Sequence, residues 1–127
     1  MELVKNEPKY WEFIRSLRNM DGVREGFIHQ DIISEEHHEN YMKINSTFFY
    51  IVVDNGLPMC YIGIIDNDIR VATHPDHQGK GVATFAVNEL MKIHPNAIAK
   101  VKIQNKASLR LFEKCGFNKK YYLLEKE

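Results

Sequence analysis

Residues 74–87 read HPDHQGKGVATFAV, a stretch that joins a strand to a helix through two glycines. From Val82 onward the apolar residues Val82, Phe85, Ala86, Leu90 and Ile93 recur at helical spacing, whereas IRVAT at 69–73 is β-branched and strand-like. A strand therefore stops at His74-Pro75 and a helix begins a few residues later, with Gly79 and Gly81 falling in its first turn. Each glycine there is expected to cost on the order of 1 kcal/mol relative to alanine. A bound anion would offset that cost. A helix N-terminus carries unsatisfied N–H groups and a partial positive charge, and glycines let the backbone come close to a phosphate. Ala83 keeps the following position small. A lone G-x-G also fits a tightly packed strand-to-helix turn. A nucleotide-hydrolysing phosphate loop, G-x-x-x-x-G-K-[ST], is not met: His74 stands where its first glycine belongs and Gly81 where its hydroxyl belongs.

Upstream, Pro8 suits the first position of a helix whose apolar face is Tyr10, Trp11, Phe13, Ile14 and Leu17. Asp21-Gly22 ends it, a loop follows, and Ser34 is a good N-cap for a second helix running to about Lys43. FFYIVVD (48–54) and MCYIGII (59–65) flank Asn55-Gly56 and predict a hairpin, and a turn at 66–68 leads into the strand at 69–73. Downstream of the glycines the pattern predicts a strand at 97–104, a helix over 106–114 ended by Gly116, and a last strand near 120–125. The order helix, helix, three antiparallel strands, helix, strand, helix, strand predicts an α+β fold. Its twisted, mostly antiparallel sheet has one parallel strand-helix-strand crossover, with the Gly-containing turn at the carboxyl ends of the parallel strands, a usual place for a ligand.

The chain has 127 residues, 44% hydrophobic and 27% charged, which suits one domain over 1–127. Lys plus Arg and Asp plus Glu number 17 each, so no global field draws it to nucleic acid or an anionic membrane. MELVKNEPKY has no signal-peptide pattern, and no apolar run approaches the roughly 20 residues of a membrane span, which points to the cytoplasm. Cys60 and Cys115 fit no metal spacing and are expected as reduced, packed thiols. Neighbouring His37 and His38 point about 100° apart on a helix and read as surface residues, so no metal site is expected.

Gln78-Gly79-Lys80-Gly81-Val82-Ala83 matches the pattern [QR]-x-x-G-x-[GA], and VKIQNKASLRLFEKCGF (101–117) supplies a second matching segment. On these residues and the order of elements, the chain resembles the GNAT superfamily of acyl-CoA-dependent N-acyltransferases. The resemblance implies a V-shaped gap between strands 69–73 and 97–104. There the pantetheine arm of acetyl-CoA pairs with backbone near Val71 and Thr73, and the pyrophosphate rests on N–H groups from Gln78 to Ala83. It implies a place for Asn105 beside the cofactor arm and for Ser108 at the next helix start; simple capping of that helix explains both equally. Residues 16–42 resemble the segment that roofs the acceptor site in the branches acting on nucleotide-linked amino sugars and on ribosomal-protein N-termini. The implied partners are acetyl-CoA and an amine acceptor. A homodimer stays open.

Acyl transfer needs an unprotonated amine, and an alkyl ammonium has a pKa near that of lysine, about 10.4, so some group must take its proton. The strand at 69–73 has no carboxylate, where many relatives keep their base. The candidates left are His29 and Asp31 in the loop at 21–34, His74 at the strand end, and Asp66 and Asp68 in the turn. Phe112 stands where many relatives carry a tyrosine that protonates the leaving thiolate, and Tyr121 or Tyr122 is a substitute, one of the two being expected in the core. A non-catalytic acyl-CoA-binding or partner-binding module of the same fold is the alternative.

Overall fold

A computed structural model describes residues 1–126. The elements are β1 (Glu2–Lys5), α1 (Pro8–Asn19), α2 (Glu35–Asn45), β2 (Phe49–Asp54), β3 (Leu57–Ile65), β4 (Asp68–Thr73), α3 (Val82–Ile93) and α4 (Lys106–Lys114). The strands form an antiparallel sheet in the order β1-β2-β3-β4. Two-residue turns join β2 to β3 and β3 to β4: Asn55 and Gly56 have φ of 50° and 79°, Asp66 and Asn67 of 51° and 66°. These left-handed pairs match the twist of the flanking strands. Helix α1 begins at Pro8, and Ser34 caps α2 by accepting from the His37 N–H at 3.1 Å.

Both faces of the sheet are covered, which explains the unbroken apolar runs of β2 and β3. Phe49, Ile51 and Val53 of β2, with Tyr61 and Ala72, pack against Ile14 and Leu17 of α1 and Met42 of α2. Val52, Cys60, Ile62, Ile64 and Ile69 turn the other way onto Val82, Ala86, Val87 and Leu90 of α3 and Phe112 of α4. Period-two alternation thus sorts each strand between two cores. None of the helices among the described residues is long and apolar enough to cross a membrane.

The expected order of elements and the expected places of Tyr121, Tyr122 and His38 are corrected. Residues 2–5 form an edge strand, too short to show a period, in register from Glu2 opposite Val53 to Lys5 opposite Tyr50. The segment 97–104 is not a strand: one parallel bridge, Asp68 to Ile98, is its whole pairing. The segment 120–125 pairs with nothing in the described sheet, and Tyr121 and Tyr122 are 91% and 92% exposed, so neither is core. His38, read as a surface residue, is buried and donates Nε2–H to the Trp11 carbonyl at 3.0 Å.

Candidate active site

The parallel crossover opens almost as soon as it begins. The Ile69 N–H donates to the Ile98 carbonyl at 2.8 Å, the Ile98 N–H to the Asn67 carbonyl at 2.9 Å, and the Lys100 N–H to Asp68 Oδ1 at 3.1 Å. Beyond this point the two chains share no backbone hydrogen bond. Asp68 is therefore a structural clamp on the opening. The β3–β4 ladder sets which groups face the gap. His74 N–H bonds Met59, so in antiparallel alternation Ala72 and Arg70 also turn their backbone groups toward β3, leaving those of Val71 and Thr73 to face away from it. Gln78 Nε2 donates to the Thr73 carbonyl at 3.1 Å, while Thr73 Oγ1 is buried without a hydrogen-bond partner among the described residues. Across the strand pair from Thr73, burial pushes the Cys60 thiol up to about 12, which makes it an inert packing group.

The glycines stand ahead of α3 rather than inside it. Gly79 has φ +77° and Gly81, the N-cap, φ +80°, so both need the left-handed region that side chains resist, and each has open space where a Cβ would stand. The expected helix-interior cost is thereby replaced by a backbone requirement. No side chain caps α3, and the N–H groups from Gly79 to Ala83 have no hydrogen-bond partner among the described residues. That donor set suits a pyrophosphate. Lys80 is exposed, whereas Val82 is buried in the core below. His74 does other work: its Nδ1 accepts from the Asp76 N–H at 3.1 Å and caps the short turn Pro75–His77.

At α4, Asn105 Oδ1 accepts from the Ser108 N–H at 3.1 Å, so it does cap the helix. Its Nδ2 donates to the Gly26 carbonyl at 3.2 Å, and Lys102 Nζ donates to the Glu25 carbonyl at 3.0 Å. The loop after α1 is in this way tied across to the segment that borders the gap. Phe112 is buried and meets Phe117 edge-on at 5.2 Å between centroids, a packing role.

On the α1/α2 face lies a cavity of about 320 Å³ whose wall includes Arg18, His29, Asp31, His38, Tyr61 and Arg70. Two loop residues expected at an acceptor site, His29 and Asp31, are thus brought together; His74 is not among its lining residues. The loop is held by Asn19, which bonds both the N–H and the carbonyl of Ile33 at 2.7 and 2.8 Å, and by Arg18, whose Nη2 donates to the His29 carbonyl. Phe27 lies 3.8 Å under the Arg18 guanidinium, and Ile33 lines the cavity, while Ile32 is exposed. Burial holds the His38 imidazole below its ordinary pKa and raises that of the Tyr61 phenol, so both are neutral walls. The sequence reading missed Arg18, Tyr61 and Arg70. The signal for Arg18 was its place four residues after Ile14, on the buried stripe of α1. A second depression of about 420 Å³, between Leu3 and Phe85, holds Glu89 and Lys92 paired to each other at 2.6 Å.

The sequence pattern of the acetyltransferase (GNAT) family matches residues 11–117. Among solved structures, the chain is similar to a spermidine N-acetyltransferase from Vibrio cholerae in complex with CoA and spermine, with TM-score 0.84 and 21% identity over 98% of this chain and 85% of that one. It is similar to a ribosomal-protein-alanine N-acetyltransferase from Brucella melitensis, with TM-score 0.79 and 13% identity over 93% of this chain and 85% of the other. A GNAT-family acetyltransferase from Bacillus anthracis gives TM-score 0.78 and 21% identity over 94% and 81% of the two chains. No curated protein sequence matches.

Proposed function

Because the chain belongs to the acetyltransferase (GNAT) family, we propose that it moves an acetyl group from acetyl-CoA to a primary amine by direct attack in a ternary complex. The observation that carries this reading is the pairing of outward Val71 and Thr73 backbone groups with the uncapped turn 79–83, at the mouth of the opening between β4 and the segment 97–104, which meet at one bridge. Val71 and Thr73 would hold the amide-bearing arm, and Gly79, Lys80, Gly81, Val82 and Ala83 the pyrophosphate, through backbone N–H groups; Gln78, expected among these donors, has its N–H bonded to the Pro75 carbonyl at 3.4 Å and braces the turn through its side chain on Thr73. Asn105 and Ser108 keep the start of α4 in place beside it. Acetyl-CoA supplies the activated acyl carbon. The Vibrio relative, solved with CoA and spermine, supports an acyl-CoA co-substrate and an amine acceptor.

In the transfer the amine nitrogen forms the new N–C bond, the C–S bond breaks, and the proton the nitrogen loses matches the one the thiolate gains. His29 and Asp31 are the groups we assign to take the amine's proton, directly or through water, since they share the cavity wall. His74 is set aside because its Nδ1 is engaged with the Asp76 N–H. No tyrosine is assigned to the thiolate. A thiol of ordinary pKa, about 8.5, leaves tolerably near neutrality, so solvent serves. The buried Phe112 also favours a second reading, a non-catalytic acyl-CoA-binding module. Thiol release from acetyl-CoA with a panel of amines tests the first reading: release dependent on one amine supports it. Stabilisation by acetyl-CoA with no release from any amine supports the second.

A further inference from the structure

The cavity on the α1/α2 face is unbalanced in charge. Arg18 from α1 and Arg70 from β4 face one carboxylate, Asp31, among its lining residues. Neither arginine has an ion-pair partner among the described residues. Arg18 is fixed in place by the Phe27 ring beneath it and by the His29 carbonyl, yet its Nη1 is buried with no hydrogen-bond partner among the described residues. A buried charged donor left unpaired is costly, and an oxyanion is its natural complement. Arg70 lies one residue from Val71 on the strand that borders the gap, and alternation sends its side chain to the face that carries Ala72 and α1. Burial is the main cause that lowers the Arg18 guanidinium below its ordinary pKa, Tyr61 opposes it, and the like charge of Arg70 adds to it. An anion in the cavity offsets both effects by favouring the charged guanidinium.

Resting on the acetyltransferase reading, we propose that Arg18 and Arg70 bind an acidic group of the acceptor, a carboxylate or a phosphoryl carried by the same molecule that presents the amine. The cavity then has two ends: guanidiniums for the acid, and His29 with Asp31 for the amine. A planar guanidinium grips two oxygens of such a group at once, which a lysine ammonium does not. A polyamine, by contrast, would bring further positive charge to two arginines that form no ion pair among the described residues.

The test uses amines that differ only in the acidic group: glucosamine 6-phosphate against glucosamine, and glutamate against its diamide. Loss of a hydrogen bond to a charged group corresponds to about a ten- to hundredfold change, so the acidic member of at least one pair is expected to lead in kcat/KM by about that factor. Arg70→Gln is expected to shrink that lead to within a few fold, and Arg70→Lys to restore part of it. The phosphate pair and the carboxylate pair tell the two acids apart. Preference for the neutral members or for spermidine, or equal loss on both members in Arg70→Gln, overturns the proposal. If no amine releases thiol, the acetyltransferase reading fails separately. Calorimetric titration with glucosamine 6-phosphate and glutamate then decides the anion site: binding weakened about tenfold or more in Arg70→Gln sustains it, and equal or absent binding overturns it.

Discussion

Replacing Gly81 with alanine probes the phosphate turn, and replacing Gly116 with alanine supplies a control of matched strain. Gly81 has φ +80° and Gly116 φ +93°, and in both places an added Cβ meets nothing within 4 Å. The two substitutions therefore differ in position, not in packing. An L side chain in the left-handed region costs about 1–2 kcal/mol, so each variant is expected to lose that much stability. For a domain of this size this corresponds to a melting temperature lowered by roughly 3–10 °C. Their effects on acetyl-CoA should diverge. Gly81 precedes Val82 in the uncapped turn, and a side chain that tilts this backbone misaims N–H groups otherwise pointed at a pyrophosphate. Losing one charge-assisted hydrogen bond raises Kd about ten- to hundredfold. Gly116 ends α4, its N–H bonded to the Glu113 carbonyl at 3.0 Å, and its substitution should leave Kd within about threefold, less than one such bond is worth. Calorimetric titration of both variants below their melting temperatures gives the comparison. Equal affinities in the two, whether both lowered or both intact, would refute the assignment of the turn.

Tyr121→Phe with Tyr122→Phe should keep kcat within about tenfold, because general acid catalysis is worth 10²- to 10⁴-fold and both phenols are exposed rather than directed into the fold; a thousandfold loss in a folded double variant would reveal a missed acid. Alanine at His29 and Asp31 together should raise KM for the amine or lower kcat while acetyl-CoA affinity holds, and unchanged acceptor kinetics would move the site elsewhere. His38 is held below its ordinary pKa by burial, so as pH falls through about 6.5 the unfolded chain takes up the proton first and stability declines. Urea unfolding between pH 8 and 5 in the wild type and in His38→Gln checks this, the variant losing part of the slope; parallel slopes would count against it.

The sequence carried most of the architecture because its strongest signals are local. The turn pairs at 55–56 and 66–67, the Pro8 helix start, the Ser34 cap and the limits of α4 were all legible from residue type and spacing. What failed depended on partners. Over 97–101 the alternation is real, with Ala97, Ala99 and Val101 facing the core and Ile98 exposed, but it stops there, since Ile103 is exposed as well. A period of two fixes which face a chain turns inward, but not whether a neighbour lies within hydrogen-bonding range. At 120–125 the apolar residues predicted a strand, and no ladder receives them. The glycines were expected in the first turn of the helix and stand just ahead of it, since positive φ cannot be read from a helical pattern alone. His29 and Asp31 were legible as loop polar residues near an acceptor. Arg18 and Arg70 were not, because an α1 face and a β4 face have to meet before two separate arginines become one cavity wall.

Acetyl transfer is tested by following the acetyl group itself. Acetyl-CoA labelled with carbon-13 in the acetyl group is incubated with the protein and the amine that releases most thiol, and products are resolved by mass spectrometry. Direct attack in a ternary complex yields labelled N-acetyl amine in equal amount to free CoA thiol, with no label on the protein. Free thiol accompanied by labelled acetate, or label held on the chain, would contradict it.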